Sequence, residues 1–306
     1  MARTTLSNFT NETQLQTLFQ QARQEDLVDP SVVGRFPDGL DLTSGSLIPE
    51  TLNATAHFRT RASGRLAGAA TLPTLLKVYD PHDTVKLQTP TPDGTTITPG
   101  QTVATLTGPM RLILAIERVA LNTMCHLSGI ASLTARYAEL CIGTKAKIYD
   151  TRKTLPGLRR LQKYAVTCGG GHTHRMGLYD ALLVKDNHLA HLNINDYAQA
   201  LQTAIDQAQR LNPNMSFAMV EVDTLPQLAA TLPVPGVDLI LLDNMPPDVL
   251  TQAVSLRDRI APHVELEASG GINLQTVRAI AQTNVDRISV GALTCLLYTS
   301  PSPRDA

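Results

Sequence analysis

Six short apolar runs punctuate the second half of the chain, and each finishes on a polar residue or a glycine. They are AKIYDT, ALLVKDN, SFAMVEVD, DLILLDN, ELEASGG and RISVGAL, and they run out at Asp150, Lys185, Glu221, Asp243, Ser269 and Gly291. Runs of this length suit strands buried on both faces. Helical stretches such as NDYAQALQTAIDQAQR and LQTVRAIAQT separate several of them. Repeated strand–helix units imply a parallel sheet, open or closed, and hence an α/β fold. No GxGxxG follows the first run, so a closed, TIM-like arrangement is preferred over a doubly wound sheet. With six strands rather than eight, the barrel is expected to be incomplete.

The first part of the chain reads differently. Leu15, Leu18, Phe19 and Ala22 recur at helical spacing within residues 11–28. LAGAATL, TVKLQT and TVATLTG read as short strands, punctuated by the turns Pro92-Asp93-Gly94 and Pro99-Gly100. This predicts an N-terminal α+β domain. Residues 110–140 read as helical, with a break between two helices at Gly129. The expected division is therefore an N-terminal domain over 1–112, a barrel over 113–294 and an atypical tail over 295–306. That tail, CLLYTSPSPRDA, shifts to alternating Ser and Pro with no apolar period, so it is read as a loose or non-native appendage and left out of the fold.

Composition narrows the function classes. Apolar residues make up 43 %, without a run long enough for a membrane helix. The first residues lack a basic and apolar leader pattern. Cys125, Cys141, Cys168 and Cys295 form no CxxC pair, which points to reduced thiols and a cytoplasmic location. A chain with no Trp and no basic stripe carrying aromatics is not expected to bind nucleic acid.

Charge is concentrated instead. Between Asp150 and Lys185 stand Arg152, Lys153, Arg159, Arg160, Lys163, Arg175 and Lys185, opposed only by Asp150 and Asp180, in a chain of formal net charge −1. Such a local excess suits a small anionic ligand. Arg159, Arg160 and Lys163 are read as the solvated face of a helix after Pro156-Gly157. Arg152, Lys153, His174, Arg175 and Lys185 lie near strand ends, and converge at one mouth if the first two strands are neighbours. Arg offers a planar fork to carboxylate and Lys a point charge.

Glu221 and Asp243 end successive strands and suit either Mg²⁺ held partly through water or sugar hydroxyls. Asp223 is a weaker candidate or a helix cap. Ser269, Gly270, Gly271 and Gly291 end the last two strands, where loop amides of barrels hold phosphate. Gly169-Gly170-Gly171 serves either an anion or a tight turn. His172-Thr173-His174, with His188 and His191, raises a metal-site alternative that the surrounding cations oppose.

Taken together, ordered blocks carry a resemblance. They are DLTSGSLIPE, ERVALN, LSGIAS, TKAKIYDTRKTLPGLR, KYAVTCGGGHTHRMGLYDALLVKDNH, VEVDTL, LLDNM, EASGGI and ISVGALT. The chain resembles the quinolinate phosphoribosyltransferases from about residue 12 to 294. The resemblance implies an N-terminal α/β sandwich and an incomplete α/β barrel. It also implies a homodimer or higher homo-oligomer with shared sites, and a reaction of quinolinate with phosphoribosyl pyrophosphate and Mg²⁺. The products are nicotinate mononucleotide, pyrophosphate and carbon dioxide, in NAD biosynthesis.

Family roles fall on matching positions. Arg118 matches an arginine reaching the neighbouring subunit's quinolinate. Arg152, His174, Arg175 and Lys185 match quinolinate-binding positions, with Thr151 and the catalytic Lys153 in the same pocket. Glu221 and Asp243 match the catalytic acids near ribose and Mg²⁺. Ser269, Gly270, Gly271 and Gly291 match the surroundings of the 5′-phosphate. Met219 stands where the family often has an acid, Leu155 where Thr is frequent, and the tail does not match. Rival readings are a paralogue taking another aromatic acid, a non-catalytic sugar-phosphate binder, and a metallohydrolase using the two histidines.

Overall fold

The computed structural model describes residues 5–28, 40–185, 188 and 197–294. The tail over 295–306 and His191 lie outside the described residues. The chain forms two compact units, Met1–Leu133 with Pro156–Gly170, and Thr134–Leu155 with Gly171–Ala306. The units follow contacts rather than chain order, so they differ from a single cut at 112/113.

In the first unit, helix α1 (Glu12–Leu27) starts at a reciprocal cap: Asn11 accepts from the Gln14 amide while the Gln14 side chain accepts from Asn11. It buries Leu15 and Phe19 and packs against helix α3 (Leu72–Tyr79). A short helix α2 (Leu42–Leu47) is capped by Asp41. Strand β5 (Thr102–Pro109) lies between β1 (Asn53–Arg59) and β3 (Lys86–Gln88), antiparallel to both, and β2 (Gly64–Arg65) pairs with β4 (Thr96–Ile97).

Two readings are corrected here. LAGAATL is not a strand: it leads through a single helical turn, Ala69–Thr71, into α3. Its direction is set by Asp93, whose carboxylate accepts from the amides of Gly68, Ala69 and Ala70. The residues around 110–140 form one helix, α4 (Met110–Leu140), which runs through Gly129. A glycine inside a helix costs about 1 kcal/mol, and the burial of flanking Leu127, Ile130 and Ala131 offsets that.

Helix α5 (Arg159–Cys168) is a third correction. It buries Leu161, Gln162, Lys163, Tyr164, Ala165 and Val166 in succession, and Lys163 is 0 % exposed. Its cations are therefore not a uniformly solvated face. Arg160 donates to the Phe9 carbonyl, and the Tyr164 hydroxyl donates to Asp93 at 2.8 Å. Gly169 caps the helix and Gly170 follows with φ +87°, a conformation that favours glycine.

The second unit bears out the expected strand set. Strands β6 (Lys147–Tyr149), β7 (Leu182–Val184), β8 (Ala218–Val222), β9 (Leu239–Asp243), β10 (Glu265–Ser269) and β11 (Arg287–Ser289) form one parallel sheet in the order β6-β11-β10-β9-β8-β7. This is the arc of an incomplete α/β barrel. The first two strands sit at opposite ends of this hydrogen-bonded order, not side by side as the convergence of cations supposed. Register places Leu183, Met219 and Leu239 across from one another, and with Leu241 they form one apolar cluster. Among the described residues no helix is long and apolar enough to cross a membrane.

The three amide hydrogen bonds and the phenol hydrogen bond to Asp93 make a test of the first unit. Asp93→Ala should lower the denaturation midpoint in urea, with a loss on the order of 3 kcal/mol from orphaned donors, whereas Glu50→Ala, which removes an exposed ion pair with Arg111, should change it by less than about 1 kcal/mol.

Candidate active site at the ends of the parallel strands

Thr151, Arg152, Lys153, Lys185, Glu221, Asp243, Ser269, Gly270, Gly271 and Gly291 lie at or just past the carboxyl ends of their strands, while His174 and Arg175 lie in the segment between β6 and β7. Beyond β6 the edge is extended by the segment that follows the three glycines. The His172 amide donates to the Ile148 carbonyl at 2.8 Å, and the Asp150 amide to the His172 carbonyl at 3.1 Å. Tyr149 and His172 thus form a parallel bridge. Asp150, 0 % exposed, then accepts from the His174 amide at 2.8 Å.

This placement carries cations to the edge of β6. Arg175 is buried and donates through its Nη1 to the Ala181 carbonyl at 2.9 Å. Burial lowers its pKa, the charge of Arg152 lowers it further, and Asp180 opposes the shift. The Arg152 Nε is buried, and among the described residues it has no hydrogen-bond acceptor. Like charges within range of one another favour an anionic ligand nearby. The turn they flank is pinned twice: Thr151 Oγ1 accepts from the Lys153 amide at 3.0 Å, and Thr294 Oγ1 donates to the Lys153 carbonyl at 2.7 Å. Lys153 itself is exposed.

Acids occupy the other part of the sheet. Glu221 on β8 is paired with Lys185, which follows β7, at 2.5 Å. Glu221 lies opposite Leu241 in register, so Asp243, two residues farther along β9, is on the same face. Asp243 accepts from the Asn244 side chain at 3.1 Å. Asp223 is not the cap of the next helix. That role belongs to Thr224, which forms a reciprocal cap with Gln227 ahead of helix Leu225–Thr231.

Beside Asp243, the turn after β10 is built around glycine. The Asn244 amide donates to the Ser269 carbonyl at 2.9 Å. Gly270 has φ +90°, and a Cβ there would lie 2.0 Å from the Asn244 Oδ1. Only glycine fits, because Asn244 packs against the backbone there. Gly291 starts the turn after the adjacent strand β11, whose Val290 amide donates to the Tyr149 carbonyl.

The two histidines do not converge on a metal. His172 stacks on Tyr149 with ring centroids 5.3 Å apart, while His174 meets Phe217 edge-on at 5.4 Å. Burial, then the charges of Lys147 and Arg287, lower the pKa of His172. Among the described residues no group of three His, Cys, Asp or Glu is arranged for a metal. Arg118 is an exposed residue of α4, in the first compact unit.

Glu267 was overlooked by sequence reasoning. It sits at the centre of β10, 0 % exposed, between Leu241 and Arg287 in register. The available signal was alternation: in ELEAS, Glu265, Glu267 and Ser269 share one face while Leu266 and Ala268 share the other. Burial, the largest influence, pushes Glu267 up to about 7; Ser289 and Arg287 pull it down, and Asp150 and Glu265 push it up. A carboxyl whose pKa is raised in the folded state adds stability that is complete below its unfolded pKa, about 4.5, and is lost as pH rises through about 7. Wild-type stability should therefore fall across that window by up to about 3 kcal/mol relative to Glu267→Gln, whose profile should be flatter, as urea denaturation at pH 4.5 to 8 will show.

Comparison with known proteins supplies the family. The model for the quinolinate phosphoribosyl transferase N-terminal domain matches residues 41–128, and that for the C-terminal domain matches 130–297. A carboxylating nicotinate-nucleotide pyrophosphorylase from Mycobacterium leprae is 42 % identical over 257 residues, covering 84 % of this chain and 87 % of the relative. A probable enzyme of the same name from Bacillus subtilis is 37 % identical over 254 residues, covering 83 % of each. The solved nicotinate-nucleotide pyrophosphorylase from Francisella tularensis superposes with a TM-score of 0.81 at 32 % identity, covering 95 % of both chains. The chain belongs to the quinolinate phosphoribosyltransferase family.

Proposed function

We propose that this chain joins quinolinate to phosphoribosyl pyrophosphate and removes one carboxyl group, giving nicotinate mononucleotide, pyrophosphate and carbon dioxide in NAD biosynthesis. The observation that carries this reading beyond family membership is the division of one sheet end. Arg152 and Arg175 stand together beside β6, Glu221 and Asp243 share a face of β8 and β9, and a glycine turn follows β10.

Quinolinate bears adjacent carboxylates at C2 and C3. The forks of Arg152 and Arg175, with Lys153 and Lys185, are suited to such a dianion. Thr151 adds a hydroxyl at the same turn. The backbone of Ser269, Gly270, Gly271 and Gly291 faces the 5′-phosphate. The pyridine nitrogen attacks C1 of the ribose while the C1–O bond to pyrophosphate breaks, its electron pair leaving with the pyrophosphate. Glu221 and Asp243 stabilise the positive charge that develops on the sugar. The new bond leaves the ring nitrogen positive. That charge stabilises the electron pair left on C2 when the C2 carboxylate departs as carbon dioxide, and a proton from solvent then completes C2.

Glu221 and Asp243 fit Mg²⁺ as hard oxygen donors on one face, with the Lys185 contact on Glu221 favouring metal contacts through water. The chemistry Mg²⁺ supplies when bound is neutralisation of the pyrophosphate charge. A homodimer or larger homo-oligomer, in which exposed Arg118 serves the neighbouring subunit, is part of the same reading. So is a cytoplasmic location, which suits the free thiols of Cys125, Cys141 and Cys168.

Incubation with quinolinate, phosphoribosyl pyrophosphate and Mg²⁺ should yield equimolar carbon dioxide and mononucleotide. Turnover of nicotinate at the same rate would favour the paralogue instead. Arg152→Ala should raise the KM for quinolinate by roughly ten- to a hundredfold, the worth of a charged hydrogen bond. Arg118→Ala should be inactive alone and regain activity on mixing with Lys153→Ala, because hybrid oligomers then contain an intact site. Absence of recovery in verified hybrids would exclude a shared site.

A further inference from the structure

Strand β9 hands the chain on through a left-handed residue. Asn244 has φ +54°, a conformation that among the described residues only Asp83 and Asn284 share without being glycine. Asparagine enters this region more readily than most side chains, because its short amide can bond locally. The bend carries the chain from Asp243 toward Pro246, just ahead of the helix Pro247–Ile260.

The same residue is fixed at three points, all of them among the candidate residues. Its backbone amide donates to the Ser269 carbonyl at 2.9 Å. Its side-chain Nδ2 donates to the Asp243 Oδ2 at 3.1 Å. Its Oδ1 lies over Gly270, 2.0 Å from where a Cβ would stand. Asp243 and Ser269 are themselves partners in register, so Asn244 ties together the ends of two paired strands. A turn that needed only the left-handed backbone would be served as well by glycine. Asn244 adds a donor aimed at a carboxylate, a bond stronger than one between neutral groups. Unusual backbone conformations held by several contacts at once gather at functional sites.

We infer that Asn244 is a positioning residue for the sugar-phosphate substrate: its side-chain amide orients the Asp243 carboxylate, while its backbone and Oδ1 hold the Ser269–Gly271 turn. One side chain thereby sets the acid that faces the ribose against the turn that receives the 5′-phosphate. The inference rests on the reading of Asp243 and this turn as the phosphoribosyl pyrophosphate site. It goes beyond that reading by assigning a role to a residue that touches both parts.

Two variants of the full chain separate donor from shape. Asn244→Gly keeps the left-handed backbone and loses the side chain. Asn244→Asp keeps the shape over Gly270 and replaces the donor with an oxygen. In calorimetry both should bind phosphoribosyl pyrophosphate about tenfold more weakly than wild type, the worth of a charged hydrogen bond. The affinity of Asn244→Gly for quinolinate should stay within about threefold of wild type. Wild-type affinity for phosphoribosyl pyrophosphate in Asn244→Asp would leave only packing on Gly270 and overturn the inference, even if Asn244→Gly failed to fold. Wild-type affinity in Asn244→Gly would also overturn it, since the added charge alone would then account for the Asp variant. So would equal weakening of both ligands in Asn244→Gly, the mark of a general structural loss. A wild type that binds phosphoribosyl pyrophosphate but forms no product with quinolinate would defeat the proposed function alone, and the variant affinities would still decide this inference. A wild type that does not bind phosphoribosyl pyrophosphate would overturn both.

Discussion

The hydrogen bond from the His174 amide to the buried Asp150 carboxylate decides where the positive part of the site lies. Strand β6 is at one end of the sheet, and its edge would otherwise present unsatisfied backbone groups. The segment after the three glycines meets that need with two backbone hydrogen bonds, and Asp150 holds it from a third. Because the segment is held at His172 and His174, Arg175 follows at a fixed place, close enough to Arg152 for the two charges to influence one another. An edge that sheet physics requires to be covered is covered here by the segment that carries His174 and Arg175.

The inward face of the sheet shows a related trade. One line of register runs through Glu221, Leu241, Glu267, Arg287 and Lys147, four of them ionisable. A barrel built for stability alone would fill such positions with branched apolar side chains, as the neighbouring line of Leu183, Met219 and Leu239 does. Two of its members are answered locally, Glu221 by Lys185 and Arg287 by Glu265 and two aromatic rings, while burial holds Glu267 toward its neutral form by raising its pKa to about 7. Partly exposed ion pairs of this kind give little net stability.

Much of this was legible in the residue order. The six apolar runs and their polar ends located every strand of the parallel sheet, because buried parallel strands need continuous apolar stretches and their carboxyl ends carry the chemistry. The positions of Glu221, Asp243 and the Ser269–Gly271 turn followed from the same pattern. Pairing order did not. Short runs are alike in composition, and nothing in AKIYDT or ALLVKDN says that β6 and β7 are at opposite ends of the ladder. Lys163 was misjudged because a cation beside arginines reads as solvated, whereas α5 is buried over six consecutive residues. LAGAATL read as a strand because its apolar content masks the helical turn that Asp93 imposes from more than twenty residues away. Glu267 escaped notice because a glutamate in a short run reads as exposed, and its complete burial arises only from the strands on either side of β10.

The central claim is that paired guanidinium groups select a dicarboxylate. Equilibrium binding of quinolinate, nicotinate and picolinate to the same protein, measured by calorimetry at fixed salt, tests it most directly. The monoacids each lack one of the two adjacent carboxylates and should bind at least about tenfold more weakly, since each loses a charged hydrogen bond of about 1.5 kcal/mol or more. Equal affinity for all three would contradict the account.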